Sequence, residues 1–123
     1  MFTPALLNVN ESIKDGYWTI GQTVTYCSER GPVIVIPEGF ETNLASIPRL
    51  MLVFFRKAGK HRKSAALHDY LYSKDGRKAY PGFTREWCDE EFYLAMILCD
   101  VPKWKAKCFY WGVCALGWMA WNK

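Results

Sequence analysis

The chain has 123 residues, half of them apolar and 16% aromatic, with a formal net charge of +4. That length suits one domain and is short for two, and the apolar share is ample for a single core. The modest charge, without a long basic tail, gives no strong nucleic-acid signal, and five irregularly spaced cysteines without a Cys-x-x-Cys pair speak against a ribbon or finger zinc site.

Four of the five cysteines sit inside apolar runs, where a free thiol behaves as a small core residue. The start, Met1-Phe2-Thr3-Pro4-Ala5-Leu6-Leu7, lacks the basic stretch and long apolar run of a secretory leader. Reduced thiols in a cytoplasm fit both observations.

The first third reads as strand. Tyr17–Ile20, Thr23–Tyr26 and Pro32–Ile36 are rich in β-branched and aromatic residues and are separated by Gly21 and by Glu29-Arg30-Gly31. The first two mix polar and apolar residues and are expected half-exposed. Val33-Ile34-Val35-Ile36 has no polar alternation and is expected to be buried on both faces. Pro37-Glu38-Gly39 then makes a turn.

The rest reads as helix. Ser46 is placed to cap a helix over about 47–56, with Pro48 in its first turn, where the missing N–H costs nothing. The basic run Arg56–Lys63 reads as a solvated loop and helix start rather than a nucleic-acid footprint. A second helix is expected over about 61–73, stopping at Lys74-Asp75-Gly76. Thr84 caps a third over about 84–99, and Pro102 opens a last one over about 102–121. Strands first and helices after make an α+β fold: a small N-terminal antiparallel sheet, then about four helices, in one domain.

The last helix has two readings. Cys108 to Trp121 is free of charge, but that is shorter than the roughly 20 apolar residues a membrane span needs. A buried terminal helix is the simpler expectation. A Trp-rich helix flanked by Lys103, Lys105, Lys107 and Lys123 also suits a membrane surface or a partner protein.

Candidate chemistry centres on His61–Tyr72. At 3.6 residues per turn, Ala65, Leu67, Tyr70 and Leu71 form the expected core side, while His61, Ser64, His68 and Tyr72 share another stripe. Asp69 points about 100° away from His68, so a third group must come from elsewhere. In the third helix Asp89 lies on the stripe of Phe92, Tyr93 and Met96, whereas Glu90 and Glu91 are freer to face water. A carboxylate on an apolar stripe needs a partner, and Arg49, His68 and Lys63 are of the right kind. Arg49, in a first helical turn, opposes the helix dipole, which argues that a carboxylate such as Asp69 or Asp89 holds it. The junction Asn43–Arg49 is also suited to anions.

Three blocks carry a resemblance: Phe40–Arg49 (Phe-Glu-Thr-Asn-Leu-Ala-Ser-Ile-Pro-Arg), Ala65–Tyr72 (Ala-Ala-Leu-His-Asp-Tyr-Leu-Tyr) and Cys88–Met96 (Cys-Asp-Glu-Glu-Phe-Tyr-Leu-Ala-Met). In this order they resemble the signature blocks of domain-of-unknown-function family thirteen fifty-three, found in tailed phages and prophages. The resemblance implies a phage-derived gene, the strand-then-helix order, and residence in a bacterial host's cytoplasm or in the virion. It implies no reaction. The family usually has aspartate at Asn43; were that aspartate a metal ligand or base, this copy would be weakened.

Three expectations follow. Arg49, His68, Asp69 and Asp89 form a buried network that locks the fold. Or the chain is a non-catalytic virion, tail-associated or host-interacting protein without a cofactor, whose partner is a phage structural protein or a host protein. Or it is a hydrolase in which His68 is base or metal ligand, Asp69 or Asp89 orients it or shares a divalent metal, and Asn43, Ser46, Arg49 and Tyr72 hold substrate. No His-Glu-x-x-His or Gly-x-Ser-x-Gly motif supports the last.

Overall fold

The computed structural model describes residues 2–3, 9–11, 18–42 and 62–121. The expected helix over 47–56, with Asn43, Ser46, Arg49, the segment 56–61 and His61, lies outside the described residues. The chain divides into two compact units, Met1–Asn43 and Leu44–Lys123. The architecture is α+β, strands before helices, as the sequence order implies.

The first unit holds β1 (Phe2–Thr3), β2 (Val9–Glu11), β3 (Trp18–Ile20), β4 (Val24–Cys27), β5 (Val33–Ile36) and β6 (Glu41–Thr42). They form two antiparallel three-stranded sheets, β1-β4-β5 and β2-β3-β6. In the first sheet Val24 faces Ile36 and Tyr26 faces Ile34, and all four are buried. Gly39, at φ +89, turns the chain so that its N–H donates to the Ile20 carbonyl.

The expectation that Val33–Ile36 is buried on both faces is incorrect. Ile34 and Ile36 are buried, but Val33 and Val35 are 51% and 40% exposed. β5 is an outer strand of its sheet, and an antiparallel sheet covered on one face leaves alternate residues in water even when all are apolar.

The second unit holds α1 (Arg62–Tyr72), α2 (Lys74–Ala79), α3 (Arg85–Leu98), α4 (Lys103–Leu116) and α5 (Trp118–Trp121). α1 packs on α3, and α3 packs on α4. Thr84 caps α3 as expected, its Oγ1 accepting from the Trp87 N–H at 3.1 Å. That helix closes in a Schellman arrangement: Val101 N–H donates to the Met96 carbonyl and Asp100 N–H to that of Ile97. Asp100 takes the left-handed position, φ 64, where glycine is usual.

The second helix stops before Lys74-Asp75-Gly76 as expected, and that segment begins a further short helix, α2. Ser73 caps this turn from both sides, accepting from the Gly76 N–H and donating to the Tyr70 carbonyl. Gly76 is required by proximity, since a Cβ there would sit 1.9 Å from the Tyr70 oxygen. Asp75 at its start and Arg77 and Lys78 at its end complement the helix dipole.

The last helix is not a buried one. Of α4 only Ala106 and Val113 are fully buried, while Trp104, Trp111 and Trp118 are 65%, 64% and 53% exposed. Gly117 interrupts the helical run in right-handed backbone, φ −64, so the course continues into α5.

Candidate functional site

α1 is buried almost all the way round: Ser64 through Leu67, His68, and Tyr70 through Tyr72 are buried, and only Asp69 on this stretch is half-exposed. The stripe expected to be set apart from the core is therefore inside it. Four residues per step put Ser64, His68 and Tyr72 in line along one face. α3 supplies the facing carboxylate, because Asp89 shares a stripe with Phe92 and Met96, both fully buried.

These elements meet at Asp89. His68 Nε2 lies 2.7 Å from Asp89 Oδ1, and the Tyr72 hydroxyl donates to the same oxygen at 2.5 Å. His68 is 0% and Asp89 1% exposed. Where the carboxylate oxygen is the acceptor, His68 Nε2 carries the ring hydrogen of this contact. The His68 ring is sandwiched by Tyr72 and Phe92, with centroids at 4.2 and 4.7 Å.

A second tier comes from α4. This helix brings the Cys114 thiol into electrostatic coupling with Asp89 and with the Tyr110 hydroxyl. Arg85, one turn before Asp89, donates from Nη2 to the Cys114 carbonyl at 3.0 Å, and its Nη1 is buried without a hydrogen-bond partner. Asp89 is thus held by His68 and the Tyr72 hydroxyl, with the Cys114 thiol and a guanidinium close by, which is how a buried carboxylate is made tolerable.

The electrostatics follow. Burial, and then the hydrogen bond to Asp89, push the Tyr72 phenol well above its ordinary range. The hydrogen bond to Cys114, and then burial, raise Tyr110 to about 12. Burial raises the Cys114 thiol, which disfavours the thiolate form a nucleophile needs.

The site is closed by α5. The Tyr72 ring meets Trp121 edge-on at 5.1 Å, and Arg77 clamps Trp121 by donating to its carbonyl at 2.6 Å and covering its ring at 4.2 Å. A Cβ on Gly117 would come within 2.7 Å of the Tyr72 hydroxyl oxygen.

Among the expected site residues, His68, Tyr72 and Asp89 come together. Asp69 is a flank residue, and the carboxylate on His68 Nε2 is that of Asp89. Glu90 is exposed as expected, but Glu91 is fully buried rather than free to face water. Asn43, Ser46 and Arg49 lie outside the described residues, and so does any ion pair of Arg49 with Asp69 or Asp89. Arg85, Tyr110, Cys114 and Gly117 were not anticipated. The spacing of Arg85 from Asp89, and of Tyr110 from Cys114, is four residues, the signal that would have found them.

Chemically, a histidine held by a carboxylate is an oriented base. Here the pair is sealed, and neither residue lines the open groove formed by Lys74, Asp75, Arg77, Lys78 and Pro81. Among the described residues no three His, Cys, Asp or Glu side chains form a group that could hold a metal ion, so a metal on His68 and Asp89 would take further ligands from outside them.

A family model described as "Protein of unknown function (DUF1353)" matches residues 18–113. An uncharacterized protein, y4jT, of Sinorhizobium fredii (strain NBRC 101917 / NGR234) is 31% identical over 84 residues. The match covers 67% of this chain, which spans 23% of that relative's length. No solved structure matches the chain.

Proposed function

The chain belongs to this family of unknown function, and on that premise we propose that it is a non-catalytic accessory protein of phage or prophage type, virion- or tail-associated or host-interacting, that works by docking. The observation that carries the reading is an inversion of what a soluble enzyme presents. Among the described residues the His68–Asp89 pair is shut in, while three tryptophans of one helical run stand in solvent. Large exposed aromatics mark contact surfaces, and Trp is enriched where binding energy concentrates. The polar cluster fastens α1, α3 and α4 together through the His68, Tyr72 and Arg85 contacts, a use to which buried hydrogen-bond networks are suited. Phage origin is supported by the order of the three sequence blocks.

The test is photo-crosslinking in the native host during infection, with a photoreactive side chain in place of Trp111 and, as control, of exposed Glu86. The docking reading requires a discrete adduct, protein or lipid, from position 111 alone. Equal or absent adducts from both positions would overturn it.

A second reading rests on the 2.7 Å contact between His68 Nε2 and Asp89. In it His68 is a general base oriented by Asp89, and Asn43, Ser46 and Arg49 hold the substrate of a hydrolase, with or without a divalent metal. Metal analysis and ester or phosphoester turnover, lost in His68→Gln with the fold retained, would favour it over docking.

A further inference from the structure

Deepening the docking reading above, on which this rests, we infer that α4 and α5 lie flat on an anionic lipid surface, with Trp104, Trp111 and Trp118 inserted at the headgroup boundary. These residues recur every seven positions. Seven steps of 100° return to within about 20° of the starting direction, so the three rings lie on one stripe about 21 Å long. Cys108 and Ala115, also exposed, fill the stripe between them. Val113, fully buried, is 180° round from Trp104, so the face toward α3 and the tryptophan face are opposite sides of one helix.

Charge selects the occupant. Residues 101–123 hold four lysines and no acid, while the twelve basic residues of 1–100 balance the twelve acids there. The whole net charge of +4 therefore belongs to this segment. Lys103 and Lys107 are exposed beside Trp104, and Lys105 lies over the Trp104 ring at 5.4 Å. Aromatic rings at the boundary and lysines in the headgroups suit an in-plane helix on anionic lipid. A second copy would bring like charge against like charge over the same stripe. Among the described residues no helix is long and apolar enough to cross a membrane, which leaves the in-plane arrangement.

The test is co-sedimentation of the full chain with vesicles of phosphatidylcholine containing phosphatidylglycerol, alongside phosphatidylcholine alone. Tryptophan emission and size by light scattering are read in parallel. Expected are binding to the anionic vesicles with a blue shift, weakening as salt rises, and at least about tenfold loss in Trp111→Ser and in Lys103→Glu/Lys107→Glu. These positions are exposed, so circular dichroism should confirm unchanged helicity. Absence of vesicle binding, or equal binding by the folded variants, overturns the lipid inference. A dimer broken by Trp111→Ser, or a protein adduct from position 111 without vesicle binding, overturns it too while leaving the docking reading intact.

Discussion

His68 Nε2 and Asp89 Oδ1 are 2.7 Å apart between α1 and α3, and both side chains are closed to solvent. In that setting deleting the carboxylate costs more than replacing it with a neutral amide. Asp89→Ala strips the acceptor from His68 and Tyr72 at once and is expected to cost about 3–5 kcal/mol. Asp89→Asn keeps an acceptor oxygen and should cost about 1–3 kcal/mol. Urea unfolding of both variants, with a double-mutant cycle against His68→Ala, checks the ranking. Equal stability of Asp89→Ala and the parent chain would remove the network.

Tyr72 makes stability sensitive to alkali. Its phenol is raised above its ordinary value by burial and by Asp89, so the folded state holds a proton that the unfolded chain releases near pH 10. The contribution is complete below pH 10 and is lost as pH rises beyond it, at up to about 1.4 kcal/mol per pH unit for one proton. Tyr70 and Tyr110, raised as well, add to the slope. Tyr72→Phe should therefore unfold less steeply with pH above 10 than the parent, although less stable at pH 7. Unfolding midpoints measured across that range give the answer.

Gly117 gives way to the Tyr72 hydroxyl. A methyl group there meets that oxygen at 2.7 Å and the Val113 carbonyl at 2.4 Å. Gly117→Ala is expected to lose about 1–3 kcal/mol through overpacking, against the usual gain of alanine in a helix. A thermal melt with unchanged midpoint would contradict the placement of α5 over Tyr72.

The residues differ in how readable they were. Asp89 announced its partner, because an acid on the stripe of Phe92 and Met96 must be paired, and His68 was one of three groups able to do it. The strands at Trp18–Ile20, Val24–Cys27 and Val33–Ile36 were visible from β-branched composition. What composition does not encode is which side of an all-apolar segment meets the core. Val33 and Val35 were for that reason assigned to the interior, and burial was the simpler of the two readings of the Trp-rich last helix. Cys114 was hidden in the same manner: a cysteine in an apolar run reads as filler until the Asp89 carboxylate is seen beside it. Glu91 reads as a solvent residue from its charge alone, whereas its turn of α3 is inward.

Asp100 offers a stabilising change. It occupies a left-handed position that costs an L residue about 1–2 kcal/mol and glycine almost nothing. Asp100→Gly should raise stability by up to about 1 kcal/mol, part of the gain being offset by a freer unfolded chain. Denaturant midpoints of the two proteins decide it, and a clear loss would indicate that the Asp100 side chain has a role of its own.

A closed polar cluster fastens the helices, the open row of tryptophans is the proposed docking face, and Asp89→Asn divides the two. The most direct measurement is crosslinking from position 111 in that variant, with circular dichroism confirming its fold. An adduct in the parent's yield is the predicted result. A folded Asp89→Asn protein that has lost the adduct would contradict the separation.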